Sequence, residues 1–503
     1  MTVRPVPAQH APHVAVVGGG VSGLAAAHRL RARLGPAATI TVLEQRDRVG
    51  GVLHTVDLAG VPFDVGAEAF LARRPEMPLL LGELGLAGAQ VHPTGATASL
   101  RVNGRTTALP GATLLGVPTS AARLDGLLSA PGLAAVAAEP GRAAALGARG
   151  GHGAGRPAAR TVRRRDRRPA RRPAAGRGLR GPGRHARPAA HDPRSRCGPR
   201  RGSPVAHGGG RRGHRAASEA AAVVRGAPAR PTPVFGALAG GYRTLLDALS
   251  DAAAADVRLG TTVRDLQRRE TGWRLVLGPT TAPETLDVDA VVLAVPAPAA
   301  ARLLAAVAPV AARAAAEIEL ASSVVVALAY RPTDAAVLPP TSGALVATGE
   351  PLSVKAFTHS TNKWAHLSPD GLVRLRASLG RFGEAATLQV DDAVLVHRAR
   401  ADLAALTGIT AEPVAAHVQR WGGGLPQYGV GHLDRVRTIE DGLPAGLAVA
   451  GSALHGVGVP ACVATARAAA ERLVAHLTTQ RREADAPGPR GRMGAWPAST
   501  TTS

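Results

Sequence analysis

The residues best spaced for chemistry are Gly18, Gly20 and Gly23, in the run GGGVSG, followed by Glu44. A G-x-G-x-x-G turn suits a pyrophosphate. The first glycine permits the tight turn, the second lets backbone approach phosphate, and the third lets helix and strand touch. An acid about 20 residues further on is the group that holds a ribose hydroxyl. Such a turn must be positioned by a strand before it and a helix after it. Residues 14–17 (VAVV) are a short β-branched run of the kind that forms a buried parallel strand. Leu24, Ala27, His28, Leu30 and Leu34 recur at helical spacing, and Ile40, Val42 and Leu43 make a second strand ending in Glu44. The order strand, glycines, helix, strand, acid predicts a βαβ unit that binds a dinucleotide. Gly18, Gly19, Gly20, Val21, Ser22, Gly23, Glu44 and Gln45 are its expected contacts, with the diphosphate on the helix N-terminus, where N–H groups and dipole favour negative charge.

Composition sets the outer bounds. The chain has 503 residues and 45% hydrophobic content, enough for two or three domains with real cores. Cys197 and Cys462 are the only cysteines, which excludes a disulfide framework or a cysteine metal site and fits a reducing cytoplasm. No secretory leader is expected, since the apolar run at residues 14–17 is too short for one. The longest uncharged stretch, residues 443–466, is broken by Gly, Pro and His, and predicts strand, turn and helix start rather than a membrane span. Peripheral membrane contact stays open.

The net charge of +24 invites a nucleic-acid reading, so its location matters. Twenty-four arginines and three acids fall between Arg142 and Arg230, so one stretch holds nearly all of the excess. Residues 142–218 are mostly Arg, Gly, Pro, Ala and His without period, and they lack Ile, Phe, Tyr, Trp and Met. They cannot form a core. A linker, an Arg/Gly-rich nucleic-acid arm and translation in the wrong frame all give such a composition, because codons built of G and C encode Arg, Gly, Ala and Pro.

Further along, residues 61–71 form an extended run through Gly66 and Ala67, followed by Arg73, Arg74 and a helix. Residues 324–329 and 372–379 are alternating apolar strands which, with Lys355, Lys363, Trp364 and Arg376, suggest a mixed sheet. Those four read more readily as packing and surface positions than as catalysts. Near the end, a buried strand stops at Gly451, and a glycine turn leads into a helix whose N–H groups could meet a cofactor.

After Glu44 come Arg48, Gly50, Gly51 and Thr55, and E-x-x-x-R-x-G-G-x-x-x-T resembles the FAD-binding signature of the flavin amine oxidase superfamily. GAEAFLARRPE (66–76), LPQYGVGH (425–432) and GVGVPAC (456–462) are similar to the porphyrinogen oxidase branch of that superfamily, in its soluble bacterial form. The resemblance implies an α/β chain: a Rossmann-like FAD-binding domain assembled from N-terminal, middle and C-terminal segments, plus an α+β substrate domain. Residues 1–90, 219–300 and 421–478 fall to the first, 91–141 and 301–420 to the second, and 479–503 to a disordered tail. It implies FAD lined by Arg48, Gly50, Gly51, Gly66, Ala67, Val263, Trp421, Gly451, Val457, Gly458 and Val459 in addition to the N-terminal set. Arg73 and Arg74 would pair substrate carboxylates, although charge ahead of a helix accounts for them as well.

The implied activity is a six-electron oxidation of coproporphyrinogen III to coproporphyrin III in haem synthesis, with oxygen as acceptor and peroxide as product. Porphyrinogen and oxygen are the expected partners, and protoporphyrinogen stays open as substrate. A carotenoid desaturase would not explain LPQYGVGH, and Tyr242, Tyr330 and Tyr428 are too few for the aromatic cage of an amine oxidase. No constellation identifies a catalytic base, and nothing fixes the oligomeric state. The resemblance also bears on the Arg-rich stretch. Residues 167–186 read RRPARRPAAGRGLRGPGRHA, and codons can be chosen so that a one-base shift spells VDRLVDPLLGGVYAGRADTL, which is similar to a helical motif of the family's substrate domain. Compensating frameshifts near 142–150 and 210–218 are therefore favoured. The charge then carries no function, no nucleic acid is expected as partner, and the chain as written should bind FAD with weak or absent turnover.

Overall fold

The computed structural model describes residues 11–114, 117–119, 122–138 and 233–485. The Arg-rich stretch with its reading frame, residues 219–232 and residues 486–503 lie outside the described residues.

Apolar, largely β-branched runs build the centre. His13–Val17 (β1) and Thr39–Leu43 (β2) pair in parallel. Asp256–Arg258 (β12), Ala290–Leu293 (β16) and Leu447–Val449 (β22) complete a five-stranded parallel sheet in the order β12-β2-β1-β16-β22. Val14 and Val16 face one core while Ala15 and Val17 face another, so β1 is apolar at every position because both faces are covered. Strands from the beginning, middle and end of the chain thus make one Rossmann-like layer, as the sequence predicts.

Val21–Leu34 (α1), Tyr242–Ala253 (α4) and Val459–Asp485 (α10) cover the first face, where Leu24, Leu30, Leu245, Leu249, Val463 and Leu473 are shut off from water. Burying each such side chain stabilises by about 2 kcal/mol. Ala297–Leu304 (α5), Pro309–Ala316 (α6) and the antiparallel strands Val263–Arg268 (β13), Trp273–Leu277 (β14) and Glu284–Val288 (β15) cover the other. Contrary to the expected disordered tail over 479–503, α10 runs to Asp485, so residues 479–485 are helical. Leu477 is buried, Thr478 and Thr479 return their hydroxyls to the carbonyls of Val474 and Ala475, and Gln480, Arg481 and Arg482 are good helix formers. The polarity there marks a solvent-facing turn of a helix anchored further back. Among the described residues no helix is long and apolar enough to cross a membrane.

A second layer is a seven-stranded mixed sheet of Ala98–Val102 (β7), Arg105–Ala108 (β8), Leu320–Tyr330 (β17), Gly343–Val346 (β18), Val354–Thr358 (β19), Val373–Leu379 (β20) and Ala415–Pro426 (β21), ordered β21-β17-β20-β19-β18-β7-β8. In β17, Val324, Val326, Leu328 and Tyr330 share a core with Asp392–Thr407 (α8), while Val325, Ala327 and Ala329 meet Trp364 and Trp421. A boundary at 420/421 falls inside β21. Against this second core lies the hairpin Thr55–Leu58 (β3) and Val61–Asp64 (β4). Phe70–Leu71 (β5), Gln90–Val91 (β6) and Phe235–Leu238 (β11) form a small sheet beside it. Glu76–Glu83 (α2), Thr113–Leu114 (β9), Val117–Pro118 (β10), Ala130–Ala137 (α3), Ser360–Lys363 (α7) and His432–Asp441 (α9) complete the described elements of any length.

Candidate functional site

The glycines collect where β1, β16 and β22 end. Gly18 donates its N–H to the Leu43 carbonyl at 2.8 Å with φ at 106°, and a β-carbon there would lie 2.5 Å from the Ala294 carbonyl oxygen. At Gly23 a β-carbon would lie 1.8 Å from the Gly18 carbonyl oxygen, so α1 reaches the strand only because that atom is missing. Gly19 donates to Glu44 Oε2 at 2.7 Å and Arg46 N–H reaches Oε1 at 2.9 Å, which fixes the buried carboxylate beside the glycine turn. Gln45 next to it is exposed. Gly20 bridges Gly50, whose N–H bonds the Gly19 carbonyl at 2.8 Å, with Gly51 alongside. Two backbones meet there with no side chain between them. Arg48 commits its guanidinium to this loop, donating to the carbonyls of Val49 and Gly51 at 3.0 Å and of Leu53 at 3.1 Å. Val263 opens β13 just after Thr261, whose N–H bonds the Glu44 carbonyl at 2.8 Å.

The second helix start comes to the same place. Val457 and Gly458 lead into α10 at Val459, and Ser22 in the first turn of α1 hydrogen-bonds the Cys462 thiol in the first turn of α10. Burial pushes that thiol up to about 11, so it stays protonated. First-turn N–H groups have no carbonyl below them in their own helix, so two sets of donors and two dipoles converge. Gly451, at the end of β22, has φ of 134°, donates its N–H to Thr465 Oγ1 at 3.0 Å, and has nothing within 4 Å of its missing β-carbon. The turn after it is held by two residues whose role sequence reasoning missed. The Tyr428 hydroxyl donates to the Ser452 carbonyl at 2.5 Å, its ring stacks on His432 at 3.8 Å, and His432 Nε2 bonds the Leu454 carbonyl at 2.8 Å. Burial lowers the pKa of His432, so the ring is neutral at pH 7 and donates through Nε2. LPQYGVGH was the signal that could have found them.

Gly66 and Ala67 lie in a break between β4 and β5, with the Gly66 backbone pressed on Val52: a β-carbon would stand 2.0 Å from the Val52 carbonyl oxygen. Buried Trp421 donates Nε1–H to the Val65 carbonyl at 2.9 Å and meets His54 edge-on at 6.5 Å, which makes it a wall rather than a free donor. Glu68 accepts from Trp364 Nε1 and stands 3.8 Å from both Lys363 Nζ and Arg376 Nη1. Asp64 accepts from the Thr55 hydroxyl at 2.5 Å and from Tyr242 N–H at 3.1 Å, and burial pushes its carboxyl up to about 6. The buried Tyr242 hydroxyl has no partner among the described residues and lies within electrostatic reach of Cys462, Asp64 and Glu68. Arg74 is paired with Glu76 at 2.7 Å, and exposed Arg73 precedes it in the turn before α2. The structure brings the glycine turns, Glu44, Val263 and the two helix starts together, and leaves Arg73 and Arg74 in a separate turn.

Glycine backbones without side chains between them and two convergent helix starts fit an extended anionic ligand. Fold and glycine turns together define an α/β protein with a Rossmann-like parallel layer and a second sheet set against it. Comparison with known proteins narrows this. Residues 16–84 match the model of an NAD(P)-binding Rossmann-like domain, and residues 194–474 that of the flavin containing amine oxidoreductases. Coproporphyrinogen III oxidase of Mycobacterium leprae (strain TN) is 41% identical, covering 92% of this chain and 98% of the relative. The Propionibacterium freudenreichii protein of the same name is 32% identical over 92% and 90%. A crystal structure described as a protoporphyrinogen oxidase, from Exiguobacterium sp. 255-15, superposes with a TM-score of 0.71 at 24% identity, over 93% of this chain and all of that one. Cyclohexylamine oxidase of Brevibacterium oxydans follows the same fold at a TM-score of 0.62. The chain belongs to the flavin-containing amine oxidoreductase family, in its coproporphyrinogen III oxidase branch, and is a flavin-dependent oxidoreductase.

Proposed function

We propose that this chain is an FAD-dependent oxidase of the kind that converts coproporphyrinogen III to coproporphyrin III with oxygen as the electron acceptor, and that its turnover is weak or absent until residues 142–218 are restored from the shifted frame. The observation that carries this reading is the 41% identity over 98% of a protein of that name, joined to a cleft in which both helix starts meet. FAD, when bound, supplies the hydride acceptor. Gly18 to Gly23 and the first turn of α1 would hold its diphosphate, and Glu44 would take a ribose hydroxyl in place of the Gly19 and Arg46 N–H groups it now serves. Val263 would meet the adenine. Val457, Gly458 and Val459 would offer N–H groups to the ring end, while Gly451 leaves room beside it. Trp421, fixed to Val65, excludes water from that end. Arg73 and Arg74 are the candidates for the substrate carboxylates, a guanidinium fork being matched to them. Removal of six electrons and six hydrogens takes three oxygen molecules to three of peroxide.

The test uses two chains, the present one and one in which residues 142–218 are restored from the shifted frame. Both should release FAD on heating. Coproporphyrinogen III added without oxygen should bleach the flavin of the restored chain and yield fluorescent porphyrin on admission of air, with protoporphyrinogen the slower substrate. A protein without flavin, or one whose flavin neither substrate bleaches in either chain, would refute the assignment.

A further inference from the structure

Three consecutive carbonyl oxygens, those of Asp64, Val65 and Gly66, each accept a hydrogen bond from a side chain of the seven-stranded sheet. Arg376 Nη1 reaches Asp64 at 2.9 Å, Trp421 Nε1 reaches Val65 at 2.9 Å, and Arg376 Nη2 reaches Gly66 at 2.7 Å. In a trans peptide the N–H points opposite to the C=O, and no described peptide is cis. With the Gly66 oxygen on the guanidinium, the N–H of Ala67 is turned the other way. It has no backbone acceptor among the described residues. Gly66 cannot roll to change this, because its backbone is wedged against the Val52 carbonyl, next to the Gly50 and Gly51 loop that bridges Gly20. A cation on the carbonyl of a peptide polarises it and makes its N–H a stronger donor.

We propose that Arg376 is a positioning residue that presents the Ala67 N–H as a strengthened hydrogen-bond donor to the electron-rich edge of the flavin ring, and so favours the reduced flavin. The inference rests on the flavin reading of the cleft and adds to it the ring contact and the residue behind it. Hydrogen bonds at the ring are one of the means by which a protein tunes flavin electronics. The same strand supplies a built-in comparison. Arg374, two residues earlier, donates to the carbonyls of Leu58, Ala59 and Leu367 and pairs with Asp370 at 2.7 Å. That arginine fastens the far end of the β3–β4 hairpin and has no bond to residues 64–67.

The experiment measures the midpoint potential and visible spectrum of the flavin-loaded full chain, as wild type, Arg376→Gln, Arg376→Lys and Asp370→Asn. The potential is expected to move negative in Arg376→Gln and part of the way in Arg376→Lys, which keeps a charge but cannot fork across two carbonyls. Asp370→Asn is expected to lower the melting temperature while leaving potential and spectrum in place. Should Arg376→Gln fail to fold, hydrogen exchange at Ala67 in the wild type decides the matter: flavin loading should slow it at least tenfold. A flavin-loaded Arg376→Gln with wild-type potential, an equal shift in Asp370→Asn, or unchanged exchange at Ala67 would each overturn the proposal while leaving the flavin assignment intact. A wild-type chain that takes up no flavin overturns both.

Discussion

Single missing atoms decide much of the cofactor cleft. Gly23→Ala would drive a β-carbon into the Gly18 carbonyl, backbone against backbone, where no rotamer offers relief. The expected outcome is a loss of at least 2 kcal/mol in urea unfolding together with loss of bound flavin, whereas Gly35→Ala, strained in φ but facing open space, should cost less and leave the flavin in place. Asp64 gives a pH signature. Its folded pKa is raised to about 6 by burial, against an ordinary value near 4, so between those values the folded state binds more protons than the unfolded one. Stability from this group is therefore full at the acid end and is lost as pH rises from about 4 to about 6. Asp64→Asn, read as urea midpoints at pH 5 and pH 7.5, should flatten that decline. A decline as steep as in the wild type would place its origin elsewhere.

The strands and helices were legible where one local pattern determines them. Residues 13–44 could be read directly because glycine turn, strand burial and helix face all follow from neighbours in sequence. What escaped were contacts made across the chain. Arg376 meets Gly66 from 310 positions away, and Tyr428 meets Ser452 only once α9 and the end of β22 are side by side. Arg48, an expected cofactor contact, is also long enough to turn back on three carbonyls of its own loop. The end of α10 is not legible as helix because a polar turn resembles a tail unless the buried Leu477 before it is taken into account. The β3–β4 hairpin keeps one unfavourable choice, Ala59 with φ of 52°, followed by Gly60 with φ of 78°. Ala59→Gly should relieve the strain and raise stability by about 0.5 kcal/mol, the gain reduced by chain entropy and by the lost methyl contact. A lower melting temperature in that variant would show that the methyl packing outweighs the backbone strain.

On the scale of the whole molecule, composition misleads and order informs. A net charge of +24 belongs almost wholly to one arginine-rich stretch, while the paired sheets are built from the remainder. The central sheet places β22, near residue 447, beside β16, and α10 closes over α1 with Cys462 against Ser22. The last of these pieces leaves the ribosome when nearly all of the chain has already been made. A nascent polypeptide can fold its first βαβ unit early, yet it has no closed pocket to offer until β22 and α10 have been made. Loading of the prosthetic group should therefore wait for α10, and cells starved of riboflavin should accumulate apoprotein in which α10 is already made rather than shorter stalled fragments.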